Sequence, residues 1–252
     1  RYLYIRDQTV LSMRIKRIAL YSLLAFVLSS TGCSGAESVP VLSCYDVTWM
    51  TEAVKTSVTE IKGQIKIKKI PEKEELVCVK DYIPDIMVEL RYATQNNFTG
   101  EVIYDFNDAY LRYGTIEKLL QVQQEIRENG YVLKIWDAYR PVYAQFDLWE
   151  ICPNSIYVAN PNKGYSSHSK GNTVDLTIVN KDGTEIPMPT GFDDFSAKAD
   201  RDYSDCLKEE AQNARFLEEI MVKYGFEPYY GEWWHFEDTD AYPVEMDYIP
   251  ES

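Results

Sequence analysis

The chain has 252 residues, 45% of them hydrophobic, which suits one catalytic domain with a leader and leaves little room for two full domains. A formal charge of −14 disfavours nucleic acid and any anionic polymer as a partner. Twenty tyrosines and five tryptophans point to an aromatic-rich fold with substantial clefts.

The first 32 residues carry Arg1, Arg6, Arg14, Lys16 and Arg17 against Asp7 alone; removing that net +4 from −14 leaves −18 for the rest. Met13 opens a basic segment, residues 18–28 are apolar, and Ser29-Ser30-Thr31-Gly32-Cys33 follows. This order describes an export signal, and the apolar run is too short for a comfortable membrane span. Cys33 after Thr31-Gly32 resembles a bacterial lipoprotein cleavage box, although Ser30 stands where Leu is preferred. A lipid on Cys33, membrane attachment and a periplasmic-side envelope location are therefore expected, with a plain signal peptide as the alternative. Residues 1–12 precede a natural start at Met13. Residues 34–80 are of mixed polarity with Lys/Glu-rich stretches and read as a tether, which places the compact domain over 81–252.

Within that domain residues 83–92 look extended, since Ile86, Val88 and Leu90 alternate with other residues. Thr115 is placed to cap a helix reaching Asn129, with Ile116, Leu119, Leu120 and Ile126 on one face and Gly130 as its stop. Residues 131–136 form a strand candidate that runs into Asp137-Ala138-Tyr139-Arg140-Pro141, and Pro141 can open a helix over 142–150. A second strand spans 173–179, followed by a turn at Lys181-Asp182-Gly183. A long helix covers 205–224 and ends at Gly225; residues 229–237 are aromatic and read as a strand. Helices and strands mix without repeated strand-helix units. The expected class is α+β, with a small mixed or antiparallel sheet carrying the site and helices flanking it. Cys44, Cys78, Cys152 and Cys206 admit three disulfide connectivities or free thiols, and no Cys-x-x-Cys spacing points to a thiolate metal site.

The chain has only two histidines. His168 lies in Ser166-Ser167-His168-Ser169-Lys170-Gly171-Asn172-Thr173-Val174-Asp175, and His235 in Glu232-Trp233-Trp234-His235. Two imidazoles, one nearby carboxylate and one further glutamate are the parts of a catalytic zinc site. Three protein ligands leave a position for water, and the glutamate can take that water's proton. An Asp175 between Val174 and Leu176 is costly in a strand unless paired or ligating. An exposed loop histidine and a strand-edge charge would be the plainer alternative. Glu232 and His235 would point to opposite faces of a regular strand, so both reach one site only through a bulge or turn near Gly231. Arg140, at a strand end, can grip an oxyanion or carboxylate, or form a salt bridge with Asp137 or Glu150.

These motifs, with Val174-Asp175-Leu176-Thr177, resemble the zinc D-alanyl-D-alanine dipeptidases known from vancomycin resistance. That family sits in a wider group with D,D-carboxypeptidases and the hedgehog signalling domain. Arg91-Tyr92-Ala93-Thr94, Asn97-Phe98-Thr99-Gly100 and Met188-Pro189 with Phe192-Asp193-Asp194-Phe195 extend the resemblance over about 81–237. It implies one zinc per chain on His168, Asp175 and His235. Glu232 would be general base and then acid, and Arg140 would stabilise the developing oxyanion. Ser166, or Ser167 beside it, would hold substrate, and Tyr92 would line the pocket. The implied reaction is hydrolysis of D-Ala-D-Ala to two D-alanines by a zinc-bound water activated by Glu232, with a small-molecule substrate and no obligate protein partner. Two rival expectations remain: a D,D-carboxypeptidase trimming peptidoglycan stems, and a non-catalytic zinc-containing binding module. A closed dipeptidase pocket would need walls, for which Phe98, Tyr104, Phe192 and Phe195 are candidates.

Overall fold

The structure, a computed structural model, describes residues 70–250. The expected leader over 1–33, the lipid site at Cys33, the tether up to residue 69 and Cys44 lie outside them. In chain order the elements are β1 (Leu76–Cys78), β2 (Met87–Val88), β3 (Tyr110–Arg112), α1 (Tyr113–Glu128), β4 (Tyr131–Asp137), α2 (Val142–Ile151), β5 (Thr173–Asn180), α3 (Lys208–Lys223), β6 (Phe226–Pro228) and β7 (His235–Asp238). β1 and β3 form an antiparallel pair. The main sheet has the order β2-β4-β5-β7-β6, and only its β2–β4 contact is parallel. The fold is therefore α+β, as the mixed element order predicts.

β4 and β5 are central and buried along nearly their whole length, so apolar residues occupy both faces: Leu133, Ile135, Val174, Leu176 and Ile178 on one, Val132 and Val179 on the other. α1 buries Ile116, Leu119, Val122 and Ile126 at helical spacing and packs on β4. α3 buries Ala214, Leu217 and Met221 against β6 and α1. Each fully buried Leu or Ile contributes about 1.5–3 kcal/mol, so the two helical faces clamp the sheet that carries the site. Gly130 (φ 96) and Gly225 (φ 88) take the left-handed turn that ends each helix.

Four expectations need correction. The domain begins before residue 81: β1 is paired to β3, and Val79 is fully buried. The strand expected over 83–92 shrinks to Met87–Val88, because Pro84 interrupts it; Ile83, Ile86 and Leu90 still reach the core, and Arg91–Ala93 is a 3-10 turn. Thr115 does not cap α1, which starts at Tyr113; its hydroxyl donates to Asp238 Oδ2 at 2.7 Å in the interior. The strand expected over 229–237 starts only at His235, with a turn before it.

Candidate active site

Strand register builds the first half of the site. β4, β5 and β7 lie side by side, and Asp137, Asp175 and His235 form one row across them. A shift in register between Ile135 and Asp137 turns Asp137 into that row. The second half comes from the loop before β5, where residues Ser167–Lys170 form a 3-10 turn. Ser166 Oγ accepts the His168 N–H at 3.3 Å and so caps the turn. Gly171 ends it at φ 76, with an added Cβ lying 2.5 Å from Leu76 Cδ2.

The His168 ring is oriented from behind. Its Nδ1 lies 2.8 Å from the Ala138 carbonyl, which only accepts, so Nδ1 carries a proton and Nε2 is the nitrogen that the neutral ring offers to a metal. Nε2 faces Asp175 Oδ2 at 3.2 Å. His235 Nδ1 lies 2.9 Å from Asp175 Oδ1 and 3.6 Å from Glu232 Oε2. One donor atom from each of His168, Asp175 and His235 lies within 4.8 Å of the others. Asp175 Oδ1 is buried and accepts no hydrogen bond. Burial raises the Asp175 carboxyl, but the two imidazoles outweigh it and hold the group well below the usual carboxylate range. Two imidazoles and one carboxylate whose donor atoms converge on one point fit zinc.

Glu232 reaches this point because residues 229–234 turn instead of running straight. The Glu232 N–H donates to Tyr229 O and the His235 N–H to Glu232 O, each at 3.3 Å. Trp233 and Trp234 are both buried in the core and anchor the turn. Arg201, which the sequence did not single out, staples it by donating to Tyr229 O at 2.7 Å and His235 O at 2.9 Å. Burial pushes the Glu232 carboxyl up, the direction that favours accepting a proton.

Arg140 forms the salt bridge that the sequence allows and also faces the cavity. Its Nη2 lies 2.6 Å from Asp137 Oδ2 and its Nη1 donates to Gln145 Oε1 at 2.8 Å, while the side chain also lines the cavity. The partner is Asp137, and Glu150 takes no part. Tyr92 lies beneath the guanidinium at 5.1 Å and donates its hydroxyl to Asp193 Oδ2 at 2.9 Å. Asp193 is a site residue that sequence reasoning missed. It lines the cavity in a left-handed conformation (φ 57), and burial pushes its carboxyl up to about 8. Nothing in Phe192-Asp193-Asp194-Phe195 distinguishes it from its neighbour.

Tyr92, Arg140, Ser166, His168, Glu232 and His235 thus share one cavity of about 570 Å³. Of the four expected walls only Phe195 lines it. Phe98 packs behind Phe195, Phe192 wedges between Tyr92 and Trp136, and Tyr104 donates its hydroxyl to Asp137 at 2.7 Å. The outer rim is made instead by Ile156, Tyr157, Tyr165 and Tyr229, all exposed. Cys78, Cys152 and Cys206 are half-buried free thiols away from the cavity.

Residues 72–250 match the family model described as D-Ala-D-Ala dipeptidase, of the peptidase M15 group. The D-alanyl-D-alanine dipeptidase of Escherichia coli K12 is 35% identical over 175 residues, covering 69% of this chain and 90% of that protein. That of Enterococcus faecium is 36% identical over 168 residues, covering 59% and 83%. Among solved structures, VanYB in complex with D-Alanine-D-Alanine aligns with a TM-score of 0.35 at 15% identity, over 52% of this chain and 73% of that one.

Proposed function

Since the chain belongs to the D-Ala-D-Ala dipeptidase family of zinc peptidases, we propose that it hydrolyses D-Ala-D-Ala to two D-alanines with Glu232 as the proton-transfer group. The observation that carries this reading is the convergence of His168, Asp175 and His235 with the Glu232 carboxylate 3.6 Å from His235 Nδ1. Zinc held by the first three supplies a Lewis acid that polarises a carbonyl and acidifies water. Glu232 accepts the proton of the attacking water and returns it to the leaving amine. Arg140, fixed by Asp137 and Gln145, presents positive charge to the carbonyl oxygen as that oxygen gains charge. Ser166 still has a hydroxyl hydrogen to donate to substrate, because its oxygen serves the cap as an acceptor. Asp193 supports a place for the substrate ammonium: a buried carboxyl on the cavity wall ionises readily only beside an incoming cation.

One observation favours a second reading, a D,D-carboxypeptidase acting on peptidoglycan stems. About 570 Å³ with an exposed rim is roomier than two alanines require and falls in the range that holds drug-sized ligands. Zinc-loaded protein offered D-Ala-D-Ala and a stem pentapeptide in parallel separates the two. D-alanine release from the dipeptide alone is expected. Release from the pentapeptide would transfer the protein to the carboxypeptidase class, and silence on both would leave a zinc-containing binding module. The sequence of residues 13–33 supports export and lipid attachment at Cys33, and salvage of D-alanine from wall turnover is the role that location favours.

A further inference from the structure

Apart from the Arg140 N–H, the loop that carries His168 is held by groups with no part in the proposed chemistry. Four consecutive carbonyls, 168 to 171, each accept an N–H from outside the loop. His168 O takes the Arg140 N–H at 3.3 Å and Ser169 O takes the Glu245 N–H at 2.8 Å. Lys170 O takes Arg112 Nε at 2.7 Å, and Gly171 O takes the Arg112 N–H at 2.8 Å. Such carbonyls at the end of a short helical turn have few partners of their own, so they depend on imported donors.

Arg112 is the hub. Its buried guanidinium also donates to Glu74 O at 2.6 Å and to Pro243 O at 3.1 Å, and lies 3.4 Å from Glu245 Oε2. The segment after β7 thus straps across the back of the loop. Further along it, Tyr248 O accepts the Tyr139 hydroxyl at 3.0 Å, next to Arg140. Ser169 Oγ donates to Arg140 O at 2.9 Å and ties the two site segments together.

We infer that Arg112 and the C-terminal strap around Pro243–Glu245 are positioning elements of the metal site, fixing the 168–171 backbone so that His168 Nε2 stays aimed at Asp175. The inference rests on His168 being a metal ligand. A loop freed at one of its four carbonyls, Lys170 O in Arg112→Met or Ser169 O in the truncation, leaves the imidazole to be ordered on binding, and that cost appears as weaker metal affinity. Partners one shell removed from a metal typically change affinity by about 10–100-fold.

The test measures the zinc dissociation constant of the full chain by competition with a chromophoric chelator, alongside far-UV circular dichroism and thermal melts without zinc. The variants are Arg112→Met, Arg112→Lys and a truncation after Asp240. Ile126→Val, which removes one methyl group from a fully buried side chain in the last turn of α1, is the control for general destabilisation. Arg112→Met and the truncation are expected to weaken zinc binding by about 10–100-fold while remaining folded, with Arg112→Lys in between. The control should lose melting temperature and keep wild-type affinity. If Arg112→Met does not fold, the truncation, which leaves every strand and helix in place, decides. Wild-type affinity in the folded variants, or an equal loss in the control, would overturn the inference while leaving the metal reading intact. A wild type that binds no zinc would overturn both.

Discussion

Glu232 illustrates how one side chain acquires a role from its surroundings. It is a carboxylate three residues before a histidine, and only the turn over 229–234 brings the two to one point. Glu232→Gln keeps the shape and removes the base. It should lower kcat by about 10²–10⁴ and retain zinc, whereas His168→Ala should lose the metal in elemental analysis. Turnover near wild type in Glu232→Gln would remove the residue from the mechanism. Asp193 makes a prediction of another kind. Its folded value of about 8 lies above the ordinary 3.8, so the folded protein keeps a proton that the unfolded chain gives up. Stability is therefore lost as pH rises through that interval and is flat above it. Asp193→Asn cannot titrate, so its melting temperature relative to metal-free wild type should climb from about pH 4 to about pH 8. A difference that stays constant over that range would mean Asp193 ionises freely in the folded state.

At the scale of elements, the site is a strand row closed by a loop. β4, β5 and β7 supply Asp137, Asp175 and His235, and a pairing slip of one residue would send each to the opposite face. The loop before β5 depends on Gly171, whose φ of 76 and close approach to Leu76 leave no room for a side chain. Gly171→Ala should cost at least about 1–2 kcal/mol in denaturant unfolding for the left-handed backbone alone. It should also weaken zinc binding, because His168 sits in the same turn; an unchanged midpoint would show that the loop relaxes freely. These elements were unequally legible in the sequence. α1, α2, α3, β4 and β5 are long enough for apolar spacing to declare them. β1, β2 and β6 have two or three residues each, and no period can be read from so few. They exist because neighbouring backbones offer hydrogen bonds, not because of their own side-chain pattern.

For the whole molecule, charge and cavity shape decide what can enter. Outside its basic first 32 residues the chain carries −18, which suits a small zwitterion better than an anionic wall polymer. The exposed rim of Ile156, Tyr157, Tyr165 and Tyr229 works in the other direction, because exposed side chains at the cavity mouth offer a surface to a longer peptide. Location adds a separate prediction. If Cys33 carries the lipid, Cys33→Ser should move the protein from the membrane to the soluble envelope fraction in cell fractionation. Membrane association that survives the substitution would discard the anchor.

The sequence by itself determined the parts. Two histidines, each with a carboxylate at short spacing, and one arginine at a strand end pointed to His168, Asp175, Glu232, His235 and Arg140, and the family resemblance implied the role of each. Only the tertiary structure decided what holds and surrounds them. Arg201 stapling the Glu232 turn and Arg112 tying the strap to the His168 loop are contacts between segments far apart in the chain. The same holds for Asp193 and for the walls: Phe98 and Phe192 went to the core and left the rim to Tyr157 and Tyr229. An aromatic or a carboxylate reads the same on the page whether it packs, pairs or faces a cavity. Its burial and partners are set by the packing of the whole domain.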